Sequence, residues 1–159
     1  MQRELAGRIR AIVAREEQRL RAIPPESAAR PGAPGKWSPS QVLGHLIDSA
    51  ANNHQRFVRC QIQGHLVISG YTQGEWVATQ AYHEEPWGDL IGLWTAFNAH
   101  LAHVVQHMPD AALSHTCAII AVDGQPGPAI SLEALVVDYL RHLEHHLQQI
   151  RPEGKKEDK

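Results

Sequence analysis

The chain has 159 residues, 43% hydrophobic and 20% charged, the composition of an ordinary globular protein with a core large enough for one domain. Fifteen Lys and Arg against seventeen Asp and Glu leave a net charge of -2. That excludes the basic footprint needed for non-specific nucleic-acid binding, and no run approaches the roughly 18 apolar residues of a membrane span.

Residues 3 to 23 place Leu5, Ile9, Ile12, Val13, Leu20 and Ile23 at helical spacing, and Pro24-Pro25 ends that helix. Residues 24 to 36, rich in Pro, Gly, Ala and Ser, read as a loop. A second helix starts at Ser38-Pro39, with Gln41 completing a capping box, and runs to a stop at Gly64. Its inner stripe is Val42, Leu46, Ala50, Asn53, Phe57 and Cys60. Between 65 and 87 the periodicity is poor, and a short helical turn around Glu75 to Tyr82 is the one element expected there.

A third long helix spans about 86 to 108, with Leu90, Trp94, Phe97, Leu101, Val104 and Met108 inward and Pro109 as its stop. In the following connection, Thr116 to Val122 is apolar and partly β-branched, and Asp123-Gly124 is a favoured turn pair, so a small hairpin is expected. Ser131 caps a fourth helix whose face Leu132, Leu135, Val136, Tyr139, Leu143, His146 and Ile150 runs up to Pro152. Residues 1–152 thus read as one all-α domain, a four-helix bundle with long second and third connections. The charged residues 153–159 read as a disordered tail. The charged opening Met1-Gln2-Arg3-Glu4-Leu5 has no apolar signal core, so a cytoplasmic location is expected.

Cys60 and Cys117 lie far apart with no CxxC partner, so neither a disulfide framework nor a thiolate metal site follows from them; Cys60 falls on the core stripe. The eleven histidines are the unusual feature. In His142-Leu143-Glu144-His145-His146, the first and last are four apart and share one helix face, where two imidazoles can hold one ion. At ~100° per residue, His146 lies about 40° and His142 about 80° from the apolar centre, while His145 points about 140° away. A plain alternative is a histidine-rich helix end whose imidazoles favour the last carbonyls.

His100, His103 and His107 also share a face, but it lies toward solvent; His54 and His65 have no partner at useful spacing. His45 stands beside the core, at the head of a polar stripe of Asp48, Ser49, Asn52 and Arg56. By periodicity it is one candidate third ligand among several.

The segment Trp37-Ser38-Pro39-Ser40-Gln41-Val42-Leu43-Gly44-His45-Leu46-Ile47-Asp48-Ser49, followed by Arg56-Phe57, resembles the second-helix signature of the DinB superfamily, closest to its YfiT-like branch. His142-x-x-His145-His146, followed by Gln149-Ile150, is similar to the same family's fourth-helix motif. The resemblance runs from about residue 5 to 151. It implies a bundle in up-down-down-up order and a divalent metal, zinc or nickel, held by His45, His142 and His146.

Three imidazoles leave coordination positions for water or substrate, the open arrangement of catalytic sites. The resemblance further implies a metal-dependent hydrolase, or a transferase or isomerase using a low-molecular-weight thiol such as bacillithiol or mycothiol. A non-catalytic metal-binding stress or interaction protein is the alternative. Asp48 is a candidate to orient a ligand imidazole, and Asn52 and Arg56 to hold an anionic group of a small-molecule substrate. Trp37 reads as a hydrophobic staple. Metal affinity is expected to weaken as pH falls through the ordinary imidazole range near 6.5. A homodimer is expected, with neither nucleic acid nor membrane as partner.

Overall fold

The computed structural model describes residues 1–121 and 123–150. Four long helices dominate: α1 (Gln2–Arg21), α3 (Pro39–Gln63), α5 (Trp87–Gln106) and α6 (Leu132–Gln149). Short α2 (Pro25–Ala28) and α4 (Gln73–Thr79) lie in the first and second connections, and a 3₁₀ turn, Asp110–Ser114, follows α5. The expected elements are all present. The proposed strand end at Val122 and the tail 153–159 lie outside the described residues.

Local chemistry accounts for the helix ends. Ser38 accepts from the Gln41 backbone at 3.3 Å and Gln41 Oε1 accepts from the Ser38 backbone at 2.9 Å, a reciprocal capping box that satisfies two donors the helix cannot. At the far end Gly64 takes φ 71°, which residues with a Cβ rarely adopt. Ser131 likewise accepts from the Ala134 backbone at the start of α6. The inward stripes are buried as their spacing requires, except that Phe97, Val104 and His146 are only partly covered.

Four contacts establish the helix directions. Gln2 donates to the Met108 carbonyl at 3.2 Å and Trp87 donates to the Leu20 carbonyl at 3.0 Å, so α1 and α5 run antiparallel. Arg19 donates to the Leu147 carbonyl at 2.7 Å, bringing together the C-terminal ends of α1 and α6. His115, just beyond α5, bonds the Cys60 carbonyl at 2.9 Å, so α3 and α5 end on the same side. The order is therefore up-down-down-up. Around the bundle α1 packs on α5, α5 on α3, and α3 on α6.

That order explains a strand the periodicity does not reveal. Because α3 and α5 end together, the chain leaves both at the same place and in the same direction. β1 (His65–Ser69) and β2 (Thr116–Ile120) then pair in parallel, with Leu66 opposite Cys117. β3 (Ile130–Ser131) joins β2 antiparallel, Cys117 opposite Ile130, and carries the chain directly into α6. The anticipated hairpin is thus the central strand and one edge strand of a three-stranded sheet. No helix among the described residues is long and apolar enough to cross a membrane.

Candidate metal centre

The N-terminal third of α3 faces the C-terminal half of α6, and there His45, His142 and His146 converge. One ring nitrogen from each lies within 4.8 Å of the other two. Among the described residues no other group of three or more His, Cys, Asp or Glu converges in this way. The ring centroids are 5.1 Å apart for His45 and His142, 4.6 Å for His45 and His146, and 4.4 Å for His142 and His146. His45 is fully buried, and the other two are half-buried.

The donor set fits a divalent ion. Nε2 of His45 lies 3.2 Å from Nε2 of His142; two nitrogens bound at ~2.0–2.1 Å in tetrahedral geometry stand about 3.3 Å apart. The outer nitrogens of the two α6 imidazoles have neighbours that suit this role. Nδ1 of His142 lies 3.4 Å from Ser49 Oγ, and Nδ1 of His146 lies 2.9 Å from Gln149 Oε1. An N–H donated to each oxygen leaves Nε2 as the free lone pair, which is how outer contacts set the tautomer of a ligand.

Electrostatics keep the cluster unprotonated. Burial lowers His45 to about 4, helped by His146 and His142. Burial likewise lowers His142 to about 4, with His146 and, more weakly, His145 and Arg56 adding to the effect against Asp138. His146 is also lowered, chiefly by burial. Three close imidazoles cannot all carry charge in a place with little water. Protons therefore compete for these nitrogens below the pH near 6.5 anticipated from free imidazole, because burial and the neighbouring imidazoles both oppose the charge.

His145 is exposed, bonds Gln149 Nε2 at 3.2 Å and packs edge-on against the outer side of His146, ring centroids 5.1 Å apart, outside the set of three converging nitrogens. His100 and His103 remain on the surface, with His54 beside His100 at 5.3 Å between centroids. Trp37 stands over His45, centroids 5.4 Å apart, and walls that side.

Asp48 is placed differently from the sequence expectation. Its Oδ1 accepts from Tyr82 Oη and from Gln80 Nε2, both at 2.8 Å, and no described imidazole bonds it. Burial raises its pKa against the lowering effect of those two donors. It anchors the second connection to α3. Asn52 donates to the Asp48 carbonyl at 2.9 Å, along its own helix.

On the His142 side opens a cavity of about 400 Å³ lined by Ser49, Asn53, Arg56, Tyr71 and Tyr139, with Ile119, Ile130 and Leu135 opposite. Arg56 borders it; Asn53, assigned by periodicity to the core stripe, lines it where Asn52 does not. Tyr71 comes from the irregular second connection, where spacing carries no signal. Burial and Asp48 push its phenol up to about 12, against Arg56.

The sequence profile of the DinB superfamily matches residues 9–150. The chain belongs to the DinB superfamily. Among solved structures it is similar to YfiT from Bacillus subtilis, described as a probable metal-dependent hydrolase with an unusual four-helix bundle topology. The TM-score is 0.79 at 20% identity, over 94% of this chain and 83% of YfiT. It is also similar to the mycothiol-dependent maleylpyruvate isomerase, with a TM-score of 0.73 at 13% identity, over 98% of this chain and 62% of that one. At these identities the likeness is one of fold. No curated protein matches the sequence.

Proposed function

We propose that this protein is a metal-dependent enzyme that activates a nucleophile, water or a low-molecular-weight thiol, toward a small-molecule substrate bound beside the centre. The observation that carries this reading is the convergence of three imidazoles, one of which, His142, lines a cavity large enough for a substrate. A zinc or nickel ion held by His45, His142 and His146 would supply Lewis acidity, which lowers the pKa of a bound water or thiol.

The chain's own residues do the rest. His45 comes from α3 and the other two ligands from α6, so the rigid contact between the helices defines the site. Ser49 and Gln149 orient the α6 imidazoles, and Trp37 keeps bulk water from the His45 side. The open direction is toward Arg56 and Tyr71, where a substrate enters. The superfamily neighbours support both nucleophiles: one is described as a probable hydrolase, and the other depends on mycothiol.

The test is metal content of the purified protein, followed by assays of ester hydrolysis and thiol-conjugate formation, each with and without chelator. The reading expects about one divalent ion per chain and a chelator-sensitive turnover in one assay. One ion per chain with no turnover in either assay would favour a non-catalytic metal-binding role.

A further inference from the structure

Arg56 is 9% exposed, and among the described residues no carboxylate lies within ion-pair distance of it. Its one side-chain hydrogen bond among the described residues, Nη1 to Asn53 Oδ1 at 3.3 Å, leaves most of its five N–H donors unused there. A guanidinium does not escape the cost of burial by losing its proton, as a lysine does. Buried charges are otherwise paired or bound to something. Here the charge borders the cavity beside His142. The acidic residue on that cavity's lining, Asp138, is exposed and engaged by Arg141 at 2.5 Å.

We infer that this cavity binds a carboxylate: Arg56 takes the acid group of a small organic acid, and Ile119, Ile130 and Leu135 face its apolar body. A planar guanidinium fork matches a carboxylate's two oxygens. Among the described residues no second arginine or lysine lines the cavity, so a singly charged acid suits it better than a phosphate dianion. Ser49 and Tyr71 offer hydroxyls to a further polar group, and the far end of the ligand reaches His142. The inference rests on the proposed metal-dependent function only in making this acid the substrate; binding at Arg56 requires no metal.

The experiment is an NMR titration of butyrate, butyramide and inorganic phosphate into metal-free and zinc-loaded protein, following the Arg56 Nε–H signal. Butyrate should shift that signal saturably in both forms, and butyramide should not. Arg56→Gln should weaken butyrate binding at least about tenfold, the usual scale of one charge-assisted pair, while Arg56→Lys should retain part of it.

Thermal unfolding gives a second reading. Butyrate should raise the midpoint of the native protein and not that of Arg56→Met, whose own midpoint without ligand should be unchanged or higher because an unpaired buried charge is gone. Butyrate binding that appears only with zinc and survives Arg56→Gln overturns the inference, because the acid then sits on the metal. Phosphate binding more tightly than butyrate overturns the carboxylate assignment. Zinc stoichiometry, measured on the same samples, tests the metal centre separately.

Discussion

Gly44 sits one residue before His45, in the second turn of α3, and the ring of Tyr82 lies flat against it. A Cβ at this position would fall 2.1 Å from Tyr82 Cδ2, 2.2 Å from Cγ and 2.5 Å from Cε2. Carbon atoms pack at about 3.5–4.0 Å, so in Gly44→Ala the ring must retreat by roughly 1.5 Å. Tyr82 is buried, and its hydroxyl donates to Asp48 at 2.8 Å.

A retreat of that size breaks a hydrogen bond to a carboxylate, worth about 1.5–3 kcal/mol, and adds overpacking of about 1–3 kcal/mol. Against this stands the helix preference for alanine over glycine, about 1 kcal/mol. The steric terms win, and Gly44→Ala should destabilise the protein by about 2–4 kcal/mol. Urea unfolding followed by circular dichroism measures it, in the native background and in Tyr82→Ala. With the ring removed, the same substitution should be neutral or stabilising by up to about 1 kcal/mol. An equal cost in both backgrounds, or a gain in the native one, would falsify the steric account.

His45→Ala, His142→Ala and His146→Ala should each sharply reduce bound metal measured by elemental analysis, whereas His145→Ala should retain nearly all of it, because His145 is exposed and its ring nitrogens do not converge with the other three. Loss of metal in His145→Ala alone would reassign the ligands. In metal-free protein, His45 and His142 titrate near 4 when folded against about 6.5 unfolded. As pH falls below 6.5 the unfolded chain takes up protons first, so stability should decline from 6.5 to about 4 and then level off. Fully buried His45 contributes up to about 3 kcal/mol and half-buried His142 less; denaturation midpoints that stay flat over this range count against the assignment. Tyr139→Phe should cost about 1–3 kcal/mol in urea unfolding, since Tyr139 donates to Asn98 at 2.5 Å in the core and the change strands a buried amide oxygen. A loss below about 0.5 kcal/mol would show that the pair is inert.

The sequence by itself determined the four long helices, because their signals are local. Inward stripes recur every three or four residues, Ser38 and Ser131 cap, and Gly64 and the prolines stop. The pair His142 and His146 was legible for the same reason, being one turn apart on one helix, and so was the outward direction of His145. Their convergence with His45, 97 positions away from His142, is a property of the α3–α6 contact. Helical periodicity left His45 as one candidate among several; the family motif singled it out.

Tertiary structure alone decided the rest. β1 exists because α3 and α5 end side by side and leave the chain in parallel beside β2, a pairing that no window of its five residues encodes. Asp48 could face an imidazole or a neighbouring loop; Tyr82 and Gln80, arriving through an irregular connection, decided for the loop. The low pKa values of the histidines follow from water excluded by the assembled bundle. The isolated charge of Arg56 arises in the same way, because whether a buried cation has a partner depends on every element packed around it.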